Sequence, residues 1–381
     1  MRQQDRRHFF FQAKIHRETV VLHAPRDFHR RLPGYAPTRL IDAPELARLL
    51  GIRQLLVKDE SSRLGLPAFK ILGALWAVYR ALTHRLGRTL EPWQTLQELA
   101  QKLAVVRPLT LTTATDGNHG RAVAHVAALF GLKARIYLPA RTAQARIDAI
   151  AKEGAEVVIV DGTYDDAVVR TAKEANGDCL IISDTSWPGY EEIPFWVVEG
   201  YSTIFSEIDE QLAQRDEPPP DLIAVQFGIG ALASALVRHD WSGPQPKILS
   251  VEPLRAACGL ASVAKGEIVT VPGPHDSIMA GLNCGCPSLA VWPIVSRGIN
   301  AFIAIADDRA REAMKALRRV GITAGETGAA GLAGLLDLFS GSETDERRNL
   351  LQLDKETRAL VLVTEGATDP VAYKRIVEDS S

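Results

Sequence analysis

Residues 109–139, LTLTTATDGNHGRAVAHVAALFGLKARIYLP, decide the fold class. LTLTTAT is β-branched and strand-like, GRAVAHVAALFGL carries apolar positions at helical spacing with a glycine stop, and ARIYLP is a second strand. Two strands joined by one helix make a parallel βαβ unit, because parallel neighbours need a long crossover. Toward the C-terminus the alternation continues through a helix in ARTAQARIDAIAKEGA, a strand in VVIVDG, a helix over 165–175 and a strand in CLIISDT. This spacing predicts a parallel sheet with helices on its faces, and the almost wholly apolar VVIV predicts strands covered on both sides.

A second run of the pattern follows a helix over 196–213 and the PPPD linker at 218–221. Its pieces are LIAVQFG, GALASALVRH, KILSVEP, ITAGETGAAGLAGLLDLF and ALVLVTEG. Upstream, a short helix is expected over Pro44–Leu50, a strand in QLLVKDES, and a helix over 68–85 that carries Lys70 near its first turn. No fixed-period repeat interrupts this order, which excludes solenoids. The expectation is a two-lobed α/β protein, each lobe a twisted, mostly parallel sheet flanked by helices. The small lobe, 108–190, is inserted into a large lobe made of 1–107 and 191–381.

The 381 residues are 46% hydrophobic and 24% charged, the balance of a globular chain, and the net charge of -2 gives no pull toward nucleic acid or an anionic membrane. The basic start, MRQQDRRHFFFQAKIHRE, has three phenylalanines but no small-residue cleavage site, and no segment approaches the ~20 apolar residues of a membrane span. The chain reads as cytoplasmic. Cys179, Cys258, Cys284 and Cys286 are too few for a disulfide scaffold, and the Cys284-x-Cys286 pair lacks the second pair of a structural zinc site. Buried thiols and no metal are expected, with a contact between Cys258 and Cys284 left open.

Three segments carry chemistry. In GLPAFKILGA, 65–74, a lysine stands at a helix start, where the positive end of the dipole disfavours an ammonium. Screened by Phe69 and Ile71, Lys70 is expected to reach its neutral, nucleophilic form. TATDGNHG, 113–120, ends a strand in a glycine turn that presents Asp116 and Asn118. FGIGALAS, 227–234, is a strand-to-helix turn that offers backbone N–H groups and a dipole to a phosphate. It lacks the third glycine of a dinucleotide fingerprint and the Gly-Lys-Ser/Thr ending of a P-loop, so nucleotide binding is the poorer interpretation. SDTSWPGYEEIP (183–194), SIMAGLNCGCPS (277–288), AGETGAAGLAG (324–334) and VTEGATDP (363–370) put small residues, hydroxyls and carboxylates at strand ends, which converge on the ligand crevice of an α/β sheet.

Taken in order, AFK, DGNHG, the glycine turn, GETGAAGL and TEG resemble the fold-type II pyridoxal phosphate enzymes, whose architecture is like that of tryptophan synthase β. GLPAFKILGA, TDGNHGRAVA, DTSWPGYEEIP, SIMAGLNCG and TEGATDP are similar to the diaminopropionate ammonia-lyase family over about 32–376. The resemblance implies pyridoxal 5'-phosphate carried on Lys70, which also takes the α-proton of an L-amino acid. It implies cofactor contacts from Phe69, Asn118 at the phenolic oxygen, a phosphate cup of Gly228, Ile229, Gly230, Ala231 and Leu232, Glu326, and Thr364 facing the pyridine nitrogen. Asp116 would serve as the base on the opposite face or as acid toward the leaving amine, Asp184 would meet the substrate's β-ammonium, and Thr115 would line the substrate site.

The implied reaction is α,β-elimination of 2,3-diaminopropionate to pyruvate and ammonia by a homodimer. Pro67 stands where the family usually has Asn, and Ala114 where it has a hydroxyl residue, so two polar groups near the cofactor are missing. The alternatives are a serine or threonine dehydratase, a lyase for another β-substituted amino acid, and a silent ligand-binding protein that keeps the fold.

Overall fold

The computed structural model describes residues 8–339 and 344–378. The basic Arg2, Arg6 and Arg7 of the chain's start lie outside them. Among the described residues the strands are β1 (Phe9–Phe11), β2 (Leu40–Asp42), β3 (Gln54–Asp59), β4 (Thr110–Ala114), β5 (Lys133–Pro139), β6 (Glu156–Val160), β7 (Cys179–Ile181), β8 (Leu222–Gln226), β9 (Lys247–Pro253), β10 (Ala301–Ile305) and β11 (Arg358–Val363). They form a seven-stranded sheet ordered β1-β10-β9-β8-β11-β3-β2 and a four-stranded sheet ordered β6-β5-β4-β7. The second is wholly parallel, and the first is parallel except for its two edges, β1 and β2. All strands of the smaller sheet fall inside 108–190.

Side chains alternate across the large sheet as a period of two requires. Leu55, Val57, Leu222 and Ala224 enter one apolar cluster, while Leu56, Ile223 and Val225 enter the other. That other cluster also takes in Leu111 and Ile136 of the small sheet, so one continuous core runs beneath both sheets. Two elements depart from the sequence expectation. β6, VVIV at its centre, is an edge strand with no fully buried residue, and Ile159 is 48% exposed. An apolar run marks a strand but does not say how many sides are covered. The helix expected over 196–213 begins four residues earlier, as Glu192–Ala213, because Pro194 is tolerated in a first turn, where its missing N–H has no carbonyl to lose.

The helix Lys70–Leu86 joins the lobes. Its residues 71–79 are all buried, and it packs on the helices Glu192–Ala213 and Asn118–Leu129. Gly73 and Gly200 allow that closeness. A Cβ at Gly73 would stand 2.5 Å from the Tyr201 ring, and one at Gly200 would stand 2.6 Å from the Leu72 carbonyl. The strand-like stretch before the helix is tied to the turn after β11. Phe69 N donates to Thr364 O, Gly366 N donates to Pro67 O, and Ala68 bridges Glu365. Pro67 thus contributes its carbonyl.

A buried charge network holds the loop that leads to Lys70. Lys58 Nζ donates to Glu207 Oε2 at 2.8 Å and to Gln211 Oε1 at 2.9 Å, while Arg63 spans Glu207 at 2.7 Å and Glu60 at 2.8 Å. Lys58, Glu60 and Glu207 are 0% exposed. Burial alone would raise the Glu207 carboxyl, but Arg63 and Lys58 beside it hold it at about 2. Its stabilising effect is therefore complete above the ordinary carboxylate range and fades as pH falls toward that value. Replacing Glu207 by Gln leaves two cations underpaired in the core, and we expect a loss of about 3–5 kcal/mol in urea unfolding. A loss below about 1 kcal/mol, the worth of a surface pair, would contradict this.

Candidate active site

Strand ends and helix starts of both lobes converge on one cleft, and the chemistry within it is set by a single contact. Lys70 is the first residue of its helix, and its Nζ donates to Asp184 Oδ2 at 2.7 Å. Asp184 follows β7 and is 5% exposed. Its turn is fastened by Tyr190, whose hydroxyl accepts from Ser183 N and donates to Ile181 O. Burial pulls the Lys70 ammonium down, but the Asp184 carboxylate overrides it, so the amine stands well above the ordinary lysine range. Asp184 itself is held at about 2: burial opposes, and its neighbours His119 and Lys70 win, Lys70 also through its hydrogen bond. In this state the Asp184 carboxylate thus favours the ammonium over the neutral amine to which helix placement and screening point. A carboxylate at hydrogen-bond distance outweighs a helix dipole.

Asp116 and Asn118 reach the cleft from the turn after β4. Burial pushes the Asp116 carboxyl up to about 6, against the pull of Arg146 and Lys70. Asn118 Nδ2 donates to Glu365, so the turn after β11 is bonded to the small lobe. Thr115 lines the cleft, yet its hydroxyl is spent locally, accepting from Gly117 N and Gly120 N at 2.9 and 3.0 Å. Phe69 packs on Tyr201 with ring centroids 4.7 Å apart and lies beside Lys70.

Opposite, the turn after β8 leads into the helix Ala231–Arg238, and Gly228 to Leu232 line the wall. Gly230 sits at φ +94, where a Cβ would also meet Phe227 at 2.9 Å, so only glycine suits the turn. The first amides of this helix have no carbonyl within it and point their N–H groups outward at its start. Thr364 is buried on the wall, and its Oγ1 has no hydrogen-bond partner.

Of the cofactor, substrate and catalytic residues that the resemblance implies, Glu326 alone is not brought to the wall. It is buried behind it, while its neighbour Thr327 faces the cleft. Cys258 and Cys284 are free thiols, and Cys258 Sγ donates to Gly228 O at 3.4 Å. Sequence reasoning missed Tyr164, His119, Gln226 and Cys284, all on the wall. Tyr164 could have been found. Thr163 and Asp166 form a capping box that makes Tyr164 the first residue of its helix, and its hydroxyl donates to Asp184 Oδ1 at 3.4 Å.

A family model described as pyridoxal-phosphate dependent enzyme matches residues 31–354. Diaminopropionate ammonia-lyase of Escherichia coli K12 is 38% identical over 361 residues, 92% of this chain and 90% of the relative. The Salmonella typhimurium protein of the same name is 37% identical over 366 residues, with the same coverage. This chain belongs to the diaminopropionate ammonia-lyase family of pyridoxal-phosphate dependent enzymes. The crystal structure of the Escherichia coli family member in complex with D-serine superposes with a TM-score of 0.89 at 35% identity, covering 97% of this chain and 96% of that one. Its complex with an aminoacrylate-PLP azomethine reaction intermediate gives 0.87 at the same identity and coverage.

The cleft fits the cofactor of this family on its own terms. The Gly230 turn is a cradle for a phosphate that a side chain would fill, and the unpartnered Thr364 hydroxyl offers what a pyridine nitrogen requires. Replacing Thr364 by Val keeps the shape and removes a buried hydroxyl without a partner. We expect the cofactor-free protein to lose no thermal stability and cofactor affinity to fall roughly 3- to 10-fold, the worth of one hydrogen bond. Unchanged affinity in a titration of the variant would remove Thr364 from the cofactor site.

Proposed function

We propose that this protein eliminates ammonia from 2,3-diaminopropionate and releases pyruvate and a second ammonia. The observation that carries this reading is the pair of carboxylates, Asp184 and Asp116, set around one amine in a closed cleft. A substrate with a cationic β-substituent has use for both.

Pyridoxal phosphate, when bound, supplies the sink for the electron pair left at the α-carbon. The chain's own groups do the rest. Lys70 anchors the cofactor and, once uncharged, takes the α-proton. Asp184 then lacks its lysine partner, and the substrate's β-ammonium replaces it. Held there, the β-nitrogen keeps its positive charge and leaves as ammonia. Asp116, raised by burial to about 6, is ionised in most molecules at neutral pH and still able to exchange a proton. It suits a base on the second face of the substrate, or a donor to the β-nitrogen of a substrate that arrives as the neutral amine. Asn118 and the 228–232 turn orient the cofactor, and Thr115 shapes the turn that presents Asp116.

A serine or threonine dehydratase is distinguished by Asp184, because a neutral hydroxyl leaving group gains little from a second carboxylate. We expect Asp184→Asn to lower kcat/KM for diaminopropionate about 100-fold, the worth of a charge-assisted bond, and for serine by less than about 10-fold. Pyruvate release from both enantiomers of diaminopropionate, from serine and from threonine measures this, with Lys70→Ala as the inactive reference. Equal losses on diaminopropionate and serine would sink the assignment. A cytoplasmic homodimer belongs to the proposal and rests on the family resemblance. Among the described residues no helix is long and apolar enough to cross a membrane.

A further inference from the structure

Lys70 must present a lone pair, both to join the cofactor's aldehyde and to accept a proton, yet Asp184 holds it as an ammonium. Losing that proton strips Asp184 of its cation and leaves a buried carboxylate with a backbone N–H and the Tyr164 hydroxyl at 3.4 Å beside it but no opposite charge bonded to it. A buried charge without a partner is costly.

The pocket contains a replacement cation. His119 is 2% exposed, and its Nε2 lies 2.8 Å from the Ile182 carbonyl, an acceptor, so Nε2 carries the hydrogen and the neutral ring keeps its lone pair on Nδ1. Nδ1 has no hydrogen-bond partner and lies 3.9 Å from Asp184 Oδ2, the same oxygen that accepts from Lys70. A water bonded to both atoms would hold them roughly 4.5 Å apart or more, so none fits between them. A shift of about 1 Å makes a direct bond. Two buried acceptors face one another, and what they lack is a proton.

We propose that His119 is a positioning residue for the protonation of Lys70: its Nδ1 receives the proton that Lys70 gives up, and Asp184 exchanges one cation for the other while remaining ionised. The inference rests on attachment of the cofactor at Lys70. One Nζ–H bond breaks, one Nδ1–H bond forms, the proton passes along Asp184 Oδ2, and the charge of the three groups together does not change. Two cations compete for one carboxylate: burial and the Lys70 charge hold His119 neutral, Asp184 favours its charged form, and removing the lysine charge tips the balance. The other titratable neighbours do not take this part. Tyr201 beside Lys70, and Tyr164, Tyr190 and Cys284 around Asp184, are pushed up by burial and stay neutral. Asp116 faces Lys70 with Arg146 and Glu365 behind it, and it titrates at about 6, below the window that matters here.

The test is the rate at which cofactor-free protein captures added pyridoxal phosphate on Lys70. It is followed by the cofactor's visible absorbance and by borohydride trapping with peptide mass analysis, between about pH 6.5 and 9. No amino-acid substrate takes part, so the outcome does not depend on the elimination reading. We expect the wild-type rate to vary by less than about 3-fold over this window. His119→Gln keeps an amide donor for Ile182 but cannot receive a proton. It should be slower by about tenfold or more at pH 7 and should gain up to about tenfold per pH unit, as an amine deprotonating to solvent does. Adding Asp184→Asn to His119→Gln removes the carboxylate that keeps Lys70 charged, and the double variant should return to within about 3-fold of Asp184→Asn alone. Matching pH profiles for wild type and His119→Gln, a steep rise in the wild type itself, or a double variant as slow as His119→Gln would each overturn the inference. Capture on a residue other than Lys70 would instead remove the site assignment beneath it.

Discussion

The ion pair between Lys70 and Asp184 is the constraint on which the site depends. Each partner is largely withdrawn from water, so neither charge is tolerable without the other. The pair also spans the molecule. Lys70 belongs to a helix tied to the large sheet through the 364–366 turn, and Asp184 stands at the end of a small-sheet strand. One 2.7 Å contact therefore joins the two sheets inside the cleft, at the lysine that would hold the cofactor.

The surrounding structure keeps that contact in place from both sides. Lys58, Arg63, Glu60 and Glu207 fix the loop that enters the lysine helix, and the glycine crossing at 73 and 200 sets that helix against Tyr201 and Val197. Tyr190 fixes the aspartate turn, and its ring stacks on Trp187 at 4.2 Å. Asn118 and Glu365 make a second bond between the lobes beside it. What remains adjustable is the occupant of Asp184. It can pair with the lysine, with an imidazolium or with a substrate cation, and the proposed chemistry is a succession of these partners.

Much of this was legible in the chain. The βαβ spacing in 109–139 and the buried strands β8, β9 and β11 gave the parallel sheets, because periodicity and β-branched runs are local properties. Lys70, Asp116, Asn118, Asp184, the 228–232 turn and Thr364 meet in one cleft because each sits at a strand end or helix start. The misses share a cause. Whether VVIV is covered, whether Glu326 or Thr327 faces inward, and whether Lys70 is charged depend on partners more than 20 residues away. The three phenylalanines of β1 and the short β2 were unreadable as edges, since an antiparallel edge is defined by its neighbour in the sheet. His119 looked like part of a glycine turn, and only the Ile182 carbonyl reveals which nitrogen is left unpaired.

The most direct measurement is competitive acetylation of lysines in the cofactor-free protein at about pH 8, read by peptide mass analysis for Lys70 against the exposed Lys133. If Asp184 keeps the amine protonated, Lys70 labels far more slowly than Lys133, and Asp184→Asn raises its labelling by about tenfold or more, one unit of pKa per tenfold. Equal labelling of Lys70 in the wild type and in Asp184→Asn would show that the carboxylate does not control the amine, and the account would fall.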